Sequence, residues 1–133
     1  MSEITRRTVL ALGGALAVNS TAAADSKLAP ATLTGSTIRH TVVFRLKWPA
    51  GSKAEAEFFA AAAALASLPH VHRFERLRQI SHKNSYAYGF SMEFPDTSTY
   101  AAYNSHPVHQ AFLRDHWTPS VDEFMEIDYA AFG

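Results

Sequence analysis

The sequence predicts an α+β fold with the element order β-α-β-β-α-β and a four-stranded antiparallel sheet. Three observations lead to this prediction: four short segments of alternating polarity, two segments with apolar residues at helical spacing, and turn residues between them. The chain has 133 residues, of which 47% are hydrophobic, and this suits one domain with a packed core rather than two domains.

The first predicted strand covers residues 38–47. One of its faces carries a histidine in phase with apolar residues: His40, Val42, Phe44 and Leu46. After a turn, Ser52 and Glu55 have the spacing of a capping box, which marks the start of a helix. This helix is predicted to run to about Leu68, because Pro69 cannot continue it.

Two further strands and a second helical region follow. The second strand, residues 71–80, is dense in charge and is therefore predicted at a sheet edge or on an exposed face. The third strand, residues 86–94, has its large side chains on one face: Tyr86, Tyr88, Phe90, Met92 and Phe94. Asp96 is a suitable N-cap for a helix to about Asn104, and Pro107 starts a further helical segment. The last strand is predicted at residues 124–131.

This order is that of the ferredoxin-like fold, in which the helices cover one face of the sheet. The other face is expected to carry many apolar and aromatic side chains, a patch too large to leave in water. A second copy of the chain, packed sheet to sheet, would cover it. We therefore predict a homodimer in which the two sheets pack face to face.

Composition excludes several classes of site. Lysine and arginine together balance aspartate and glutamate, 12 against 12, so no basic surface for nucleic acid is expected. The chain contains no cysteine, which excludes disulfides, thiolate metal sites and a cysteine nucleophile. Since the HExxH pattern is also absent, we predict neither a metal site nor a cofactor.

The N-terminal region predicts export. Arg6 and Arg7 precede a short apolar run, and alanines at 22–24 offer a small-residue cleavage site, so residues 1–24 are interpreted as a twin-arginine-type signal peptide. Sec export and an unprocessed apolar helix are the alternatives. Residues 25–37 are interpreted as a flexible linker, and residues 38–133 as the folded domain. The expected location is periplasmic or secreted, with no membrane association of the mature form.

One segment concentrates the candidate chemistry. Tyr103, His106, Pro107 and His109 lie within seven residues, and histidine can transfer protons near neutral pH without a cofactor. For His109, the alternative is a structural role beside Pro107. For His106, an N-cap is the favoured interpretation. His40 could contact a ligand or serve as a hydrogen-bonded core residue.

These residues resemble the stress-responsive A/B barrel (Dabb) family. The resemblance rests on His40 in the first strand, the pattern Tyr103-x-x-His106-Pro107-x-His109 and the closing Ile127-Asp128-Tyr129. It implies a homodimeric barrel with a ligand pocket. By similarity to a plant polyketide cyclase of this family, His109 would be the general base, Tyr103 would hold a substrate carbonyl, and His40 would line the pocket. That cyclase has a histidine in its third strand where this chain has Tyr88, so its reaction is not carried over.

The predicted ligand contacts are His40, Val42, Phe44, Tyr88 and Phe90, and the predicted catalytic residues are His109 and Tyr103. The expected function is that of an exported homodimeric barrel that binds a small hydrophobic or aromatic molecule. If it is an enzyme, the expected reaction is cofactor-independent and lyase-, cyclase- or isomerase-like. A non-enzymatic stress-response homo-oligomer is the main alternative. A haem-binding or monooxygenase-like barrel is a third alternative, for which no motif is present.

Overall fold

The computed structural model describes residues 33–133. The predicted signal peptide and the linker up to residue 32 lie outside the described residues. The elements are β1 (Ile38–Leu46), α1 (Lys53–Ala63) with a 3₁₀ extension (Ala64–Ser67), β2 (His72–Arg78), β3 (Tyr88–Phe94), α2 (Thr97–Ser105), α3 (Pro107–Phe112), a π-helical turn (Leu113–Trp117), the short α4 (Thr118–Ser120) and β4 (Val121–Tyr129). The sheet is antiparallel with strand order β2-β3-β1-β4. The predicted ferredoxin-like architecture is confirmed.

The starts of two strands differ from the prediction by two or more residues. β3 begins at Tyr88 rather than at residue 86, because loop side chains take the backbone groups of Tyr86. The Asn84 Oδ1 accepts the Tyr86 N–H at 3.0 Å, and the Gln79 Nε2 donates to the Tyr86 carbonyl at 2.6 Å. β4 begins at Val121 rather than at residue 124, since Val121 pairs with Leu46 across a register shift in β1.

The core lies between the helices and one face of the sheet. From β1, His40, Val42, Phe44 and Leu46 all point into it, as the alternation predicted. From β3, the large side chains of the same face join them, and from α1 the buried residues are Phe58 and Ala62. Phe44 has no exposed surface, and its ring centroid lies 4.8 Å from that of Phe90 and 5.0 Å from that of Trp117. Phe44 is therefore at the centre of the aromatic core.

The opposite sheet face carries no helix in the described part of the chain. Its middle forms a cross-strand row of small and apolar residues: Leu77, Gly89, Val43 and Met125. Ile127 and Tyr129 extend this apolar surface along β4, and both are exposed. Ion pairs flank it, with Arg39 to Glu93 at 2.9 Å and Arg45 to Asp122 at 2.7 Å. The large β3 side chains point to the helices, so this face is less aromatic than expected. Within residues 33–133, no helix has the length and apolarity needed to cross a membrane.

Candidate functional site

A cavity of about 320 Å³ lies between the sheet and the helices. This volume is at the lower end of the range for small-molecule sites, about 300–1,000 Å³. Its lining is mostly apolar: Val42, Leu65, Phe90, Met92, Phe112, Leu113, Trp117 and Phe124. Its polar lining residues are His40, Tyr103, His109, Thr118 and Glu126. The cavity can therefore hold an apolar molecule and offer a few polar contacts to it.

The backbone between α2 and α3 positions His109. Pro107 forces the residue before it out of the helical region, so α2 ends at Ser105 and His106 is extended. The His106 Nδ1 then accepts the Val108 N–H at 3.1 Å, which makes His106 the N-cap of α3, as favoured from the sequence. Pro107 occupies the first turn of α3, where a missing N–H has no cost. His109 follows within the same turn and reaches back to α2.

The hydrogen bond of His109 fixes its tautomer. The ring Nδ1 lies 3.0 Å from the carbonyl oxygen of Asn104, in the last turn of α2. Because a carbonyl only accepts, Nδ1 carries the proton and Nε2 of the neutral ring keeps its lone pair. Burial lowers the pKa of His109, and so do nearby His40 and His106, whereas the Asn104 carbonyl and Glu126 act in the opposite direction. The neutral, basic form is therefore favoured near neutral pH.

Tyr103 lies directly against His109. The two ring centroids are 4.3 Å apart, and Tyr103 also packs on Phe94 at 4.9 Å. The side chain is buried, and burial raises the pKa of the Tyr103 phenol, with Tyr100 and Glu126 adding to the increase. The phenol therefore keeps its proton and can donate a hydrogen bond to an oxygen atom in the cavity.

His40 is held by Asp128 and Tyr100, neither of which is among the predicted site residues. The His40 Nδ1–H donates to Asp128 Oδ1 at 2.6 Å, and the Tyr100 hydroxyl donates to Asp128 Oδ2 at 3.0 Å. The Tyr100 oxygen also lies 2.9 Å from His40 Nδ1. With Nδ1 so engaged, Nε2 is the ring atom left for a ligand in the cavity. A carboxylate in this position fixes the orientation of the imidazole ring.

A signal for Asp128 and Glu126 was present in the sequence. In β4, Phe124, Glu126 and Asp128 alternate on one face, and the register places them opposite Phe44, Val42 and His40. The closing Ile127-Asp128-Tyr129 was noticed, but its partner strand could not be identified without the register. Tyr100 lies one helical turn before Tyr103, on the same side of α2.

The structure brings together five of the seven predicted site residues: His40, Val42, Phe90, Tyr103 and His109 all line the cavity. It separates the other two from it. Phe44 is fully buried beneath the core rings, and it is not part of the cavity wall. Tyr88 lies on the far side of α1, where its hydroxyl donates to Glu55 and it borders a shallow groove with Arg76 and Arg78. Phe44 and Tyr88 therefore do not line this cavity, because the strand face is longer than the cavity above it.

The polar residues of the cavity include groups that can carry out acid–base chemistry. Among residues 33–133, no three His, Asp or Glu side chains are placed to hold a metal ion. What the cavity does contain is two imidazoles with Nε2 free of protein hydrogen bonds among the described residues, and a protonated phenol. A base and a hydrogen-bond donor side by side can remove a proton from carbon next to a carbonyl group.

Comparison with known families and structures is consistent with this architecture. The family model described as "Stress responsive A/B Barrel Domain" matches residues 38–131. A Dabb family protein with a ferredoxin-like fold from Mesorhizobium loti is 50% identical, with a TM-score of 0.72; the match covers 74% of this chain and 100% of that chain. Among curated proteins, none matches this sequence significantly.

More distant structures share the fold alone. A dimeric ferredoxin-like protein from Thermobifida fusca is 20% identical with a TM-score of 0.63, and the match covers 76% of this chain and 96% of that one. The hydroxynitrile lyase from Passiflora edulis is 14% identical with a TM-score of 0.65, covering 72% of this chain and 94% of the lyase.

Proposed function

The chain belongs to the stress-responsive A/B barrel domain family, as its motifs indicated, and we propose that it is a homodimeric member with a catalytic cavity. The cavity would bind a small hydrophobic or aromatic molecule that carries a carbonyl group, and would transfer a proton on it without a cofactor. The observation that carries this proposal is the convergence of His109, Tyr103 and the Asp128-oriented His40 on one otherwise apolar cavity.

The proposed mechanism follows from the assigned protons. The Tyr103 hydroxyl donates a hydrogen bond to the substrate carbonyl oxygen, and His109 Nε2 removes a proton from the adjacent carbon. The electron pair of the broken C–H bond moves into the carbonyl group, and the resulting enolate oxygen is held by Tyr103. Return of the proton to another atom completes an isomerisation, attack on a second carbonyl completes a cyclisation, and loss of a leaving group completes an elimination. His40 is the second imidazole that can deliver or receive the proton.

The fold supports this class of reaction without specifying it. A hydroxynitrile lyase has the same fold, so this architecture accommodates a lyase site. At 14% identity that likeness extends to the fold alone, and the substrate of this chain is proposed only as far as its cavity chemistry reaches.

Proton exchange on a simple ketone tests the proposed base directly. Acetophenone combines an aromatic ring with a carbonyl group and exchangeable protons on the adjacent carbon. In D₂O, the full chain should catalyse replacement of these protons by deuterium, followed by proton NMR. The proposal requires exchange above the buffer rate that depends on His109. Exchange no faster than in buffer, despite binding of acetophenone, would rule out this proton transfer.

The pH profile of this exchange is a further prediction. His109 must be neutral to act as a base, and its pKa lies below the ordinary value of about 6.5, chiefly because of burial. The exchange rate should therefore fall to half of its plateau value at a pH below about 6.5, the midpoint of an ordinary histidine. The rate is to be measured from pH 5 to 8 in buffers of constant ionic strength. A midpoint above 6.5 would contradict the assignment of a buried, neutral His109.

Assembly through the uncovered sheet face is the second part of the proposal. The apolar row from Leu77 to Met125 needs a cover, because Leu77 and Met125 are exposed. The Thermobifida fusca relative is dimeric, which supports the same state for this chain.

Ile127→Lys should break this assembly. Ile127 lies beside Thr41 on the uncovered face, so a dimer would bury two unpaired ammonium groups, at a cost of about 3 kcal/mol or more. The dimer is then expected to weaken by at least ~100-fold, measured by sedimentation velocity over a range of concentrations. Ala101→Lys, on the exposed side of α2, is the matched control and should leave the mass unchanged. A dimer of unchanged affinity in Ile127→Lys would place the interface elsewhere.

A non-enzymatic homo-oligomer is the second candidate function. The observation that favours it is the exposed apolar face, which calls for assembly whether or not the cavity is catalytic. The two candidates differ in what they require of His109. A stable dimer whose ketone exchange and ligand binding are indifferent to His109 would favour the non-enzymatic role.

A further inference from the structure

We propose that Trp117 forms the end wall of the cavity and thereby limits the substrate to compact molecules: an aromatic ring or short alkyl chain attached to the reacting carbonyl. This inference rests on the proposed function, because it assumes that the carbonyl group lies at the histidine end. It deepens that function by assigning the residue that determines specificity.

The strand register provides a ruler for the cavity. His40 lies opposite Met92 and Asp128, Val42 opposite Phe90 and Glu126, and Phe44 opposite Tyr88 and Phe124. These three sets of paired residues form three rows across the sheet. The His40 row and the Phe44 row are four residues apart along β1, a distance of about 13 Å at ~3.3 Å per residue. The cavity lies above the first two rows, where His40, Val42, Phe90 and Met92 line it, and it reaches Phe124 in the third row, whereas Phe44 and Tyr88 do not line it.

The polarity of the lining side chains changes along the strand direction. At the His40 row lies Tyr100, with ring centroids 5.2 Å apart, and Tyr103 packs on Phe94 at the same end. His109 packs against Tyr103, so it also belongs to this end. Towards the opposite end the lining side chains are apolar or aromatic, apart from Glu126 in the second row and Thr118 next to Trp117. A bound molecule is therefore oriented with its oxygen towards the histidines and its apolar end towards the Phe44 row.

Trp117 closes that apolar end. Its ring centroid lies 5.0 Å from that of Phe44 and 5.4 Å from that of Phe124, the two residues paired in the third row. It also approaches Phe58, Phe90 and Phe112 within 6.5 Å. The indole thus stands across the third row, in contact with the sheet, α1 and α3, and it occupies the space into which a longer ligand would extend.

The π-helical turn explains why a tryptophan stands there. The Thr118 N–H bonds to the Leu113 carbonyl, which closes a turn one residue wider than an α-helical turn. Pro119 follows, and a proline at this point cannot donate to the helix ladder and would clash with the carbonyl four residues earlier. The wider turn brings Leu113, Trp117 and Thr118 to the cavity together. Such turns are rare in proteins overall, and many of those that occur lie at functional sites.

The test is a series of phenyl alkyl ketones of increasing chain length: acetophenone, butyrophenone, hexanophenone, octanophenone and decanophenone. Binding to the full chain is measured by calorimetry or NMR titration. Each methylene that is buried should strengthen binding by about fourfold. For the wild-type chain this gain should stop, and binding should weaken, once the molecule reaches Trp117. In Trp117→Ala the gain should continue, with decanophenone bound at least ~10-fold more tightly than by wild type.

Two variants control the experiment. Trp117→Leu keeps an apolar side chain in the core and should shift the limit by an intermediate length, which tests the inference if Trp117→Ala folds poorly. Trp48→Phe changes the other tryptophan, half-exposed after β1 and outside the cavity, and should keep the wild-type profile. The same length limit in all variants would overturn the assignment of Trp117, and so would failure of every ketone to bind the wild type.

The inference and the proposed function fail in different ways. In one case, substitution of Trp117 changes the longest ketone that still gains affinity, whereas substitution of His109 does not change the exchange rate. Trp117 is then confirmed as the end wall, and the assignment of His109 as catalytic base is wrong. In the other case, the exchange rate depends on His109, but substitution of Trp117 leaves the length limit unchanged. His109 is then confirmed as the base, and the assignment of Trp117 as the end wall is overturned.

Discussion

His109→Ala is expected to abolish catalysed proton exchange on acetophenone, lowering the rate by about 10²–10⁴-fold, the usual contribution of a general base. The reason is that the Nε2 atom of His109, whose ring lies against Tyr103, carries the lone pair that accepts the substrate proton. Alanine has no such atom. The measurement is the initial rate of deuterium incorporation at pH 7.5, with saturating ketone, compared with the rate in buffer.

A second variant separates chemistry from structure. His109→Asn keeps an N–H that can reach the Asn104 carbonyl, so the contact between α2 and α3 is preserved while the base is lost. It should be as inactive as His109→Ala but closer to wild type in melting temperature. His82→Ala, in an exposed loop away from the cavity, should retain full activity. Substantial exchange in His109→Asn would transfer the role of base to His40.

Phe44→Ala is expected to destabilise the fold by about 3–5 kcal/mol, the largest effect on stability that we predict. Phe44 has no exposed surface, and its ring contacts those of Phe58, Phe59, Tyr88, Phe90 and Trp117. Truncation removes a large buried area and leaves a cavity that the sheet cannot close. Because domains of this size are stable by only about 5–15 kcal/mol, much of that margin would be lost.

Denaturant unfolding at fixed protein concentration measures this loss, since assembly adds a concentration-dependent term to stability. Phe44→Leu should recover a large part of the difference, because leucine refills much of the volume. Phe132→Ala, at the fully exposed C-terminal end, should have no effect. If Phe44→Ala unfolded at the wild-type midpoint but bound ketones less well, Phe44 would be a ligand contact after all, as first predicted from its strand face.

Local sequence patterns predicted most of the fold. The alternation in residues 38–47 placed the four core residues of β1, and the Ser52 and Asp96 caps marked helix starts that the structure confirms. These signals are local, because side-chain period and capping depend on neighbours along the chain. The start of β4 was missed because it depends on pairing with Leu46, which no local pattern encodes.

The site was predictable only as far as motifs and alternation reach. Tyr103, His109 and His40 were selected by residue type and spacing, and they do line one cavity. Asp128 was passed over because its importance comes from lying opposite His40, 88 residues away in the chain. Tyr88 and Phe44 share the predicted strand face but lie outside the cavity, because a shared face indicates direction and not position along the strand. The point along β1 at which the cavity ends is set by the helices packed on the sheet. For this reason the sequence alone could not place Trp117 at that end.

Alternate residues of strand β4 contribute to two different surfaces of the sheet. Its Phe124, Glu126 and Asp128 side chains serve the cavity, whereas Met125, Ile127 and Tyr129 form part of the uncovered sheet face. Insertion or deletion of a single residue before Phe124 would exchange the two sets, turning the carboxylates outward and the apolar residues inward. Length variation in this strand is thus forbidden for two independent reasons, and related sequences that retain both features must diverge here by substitution alone.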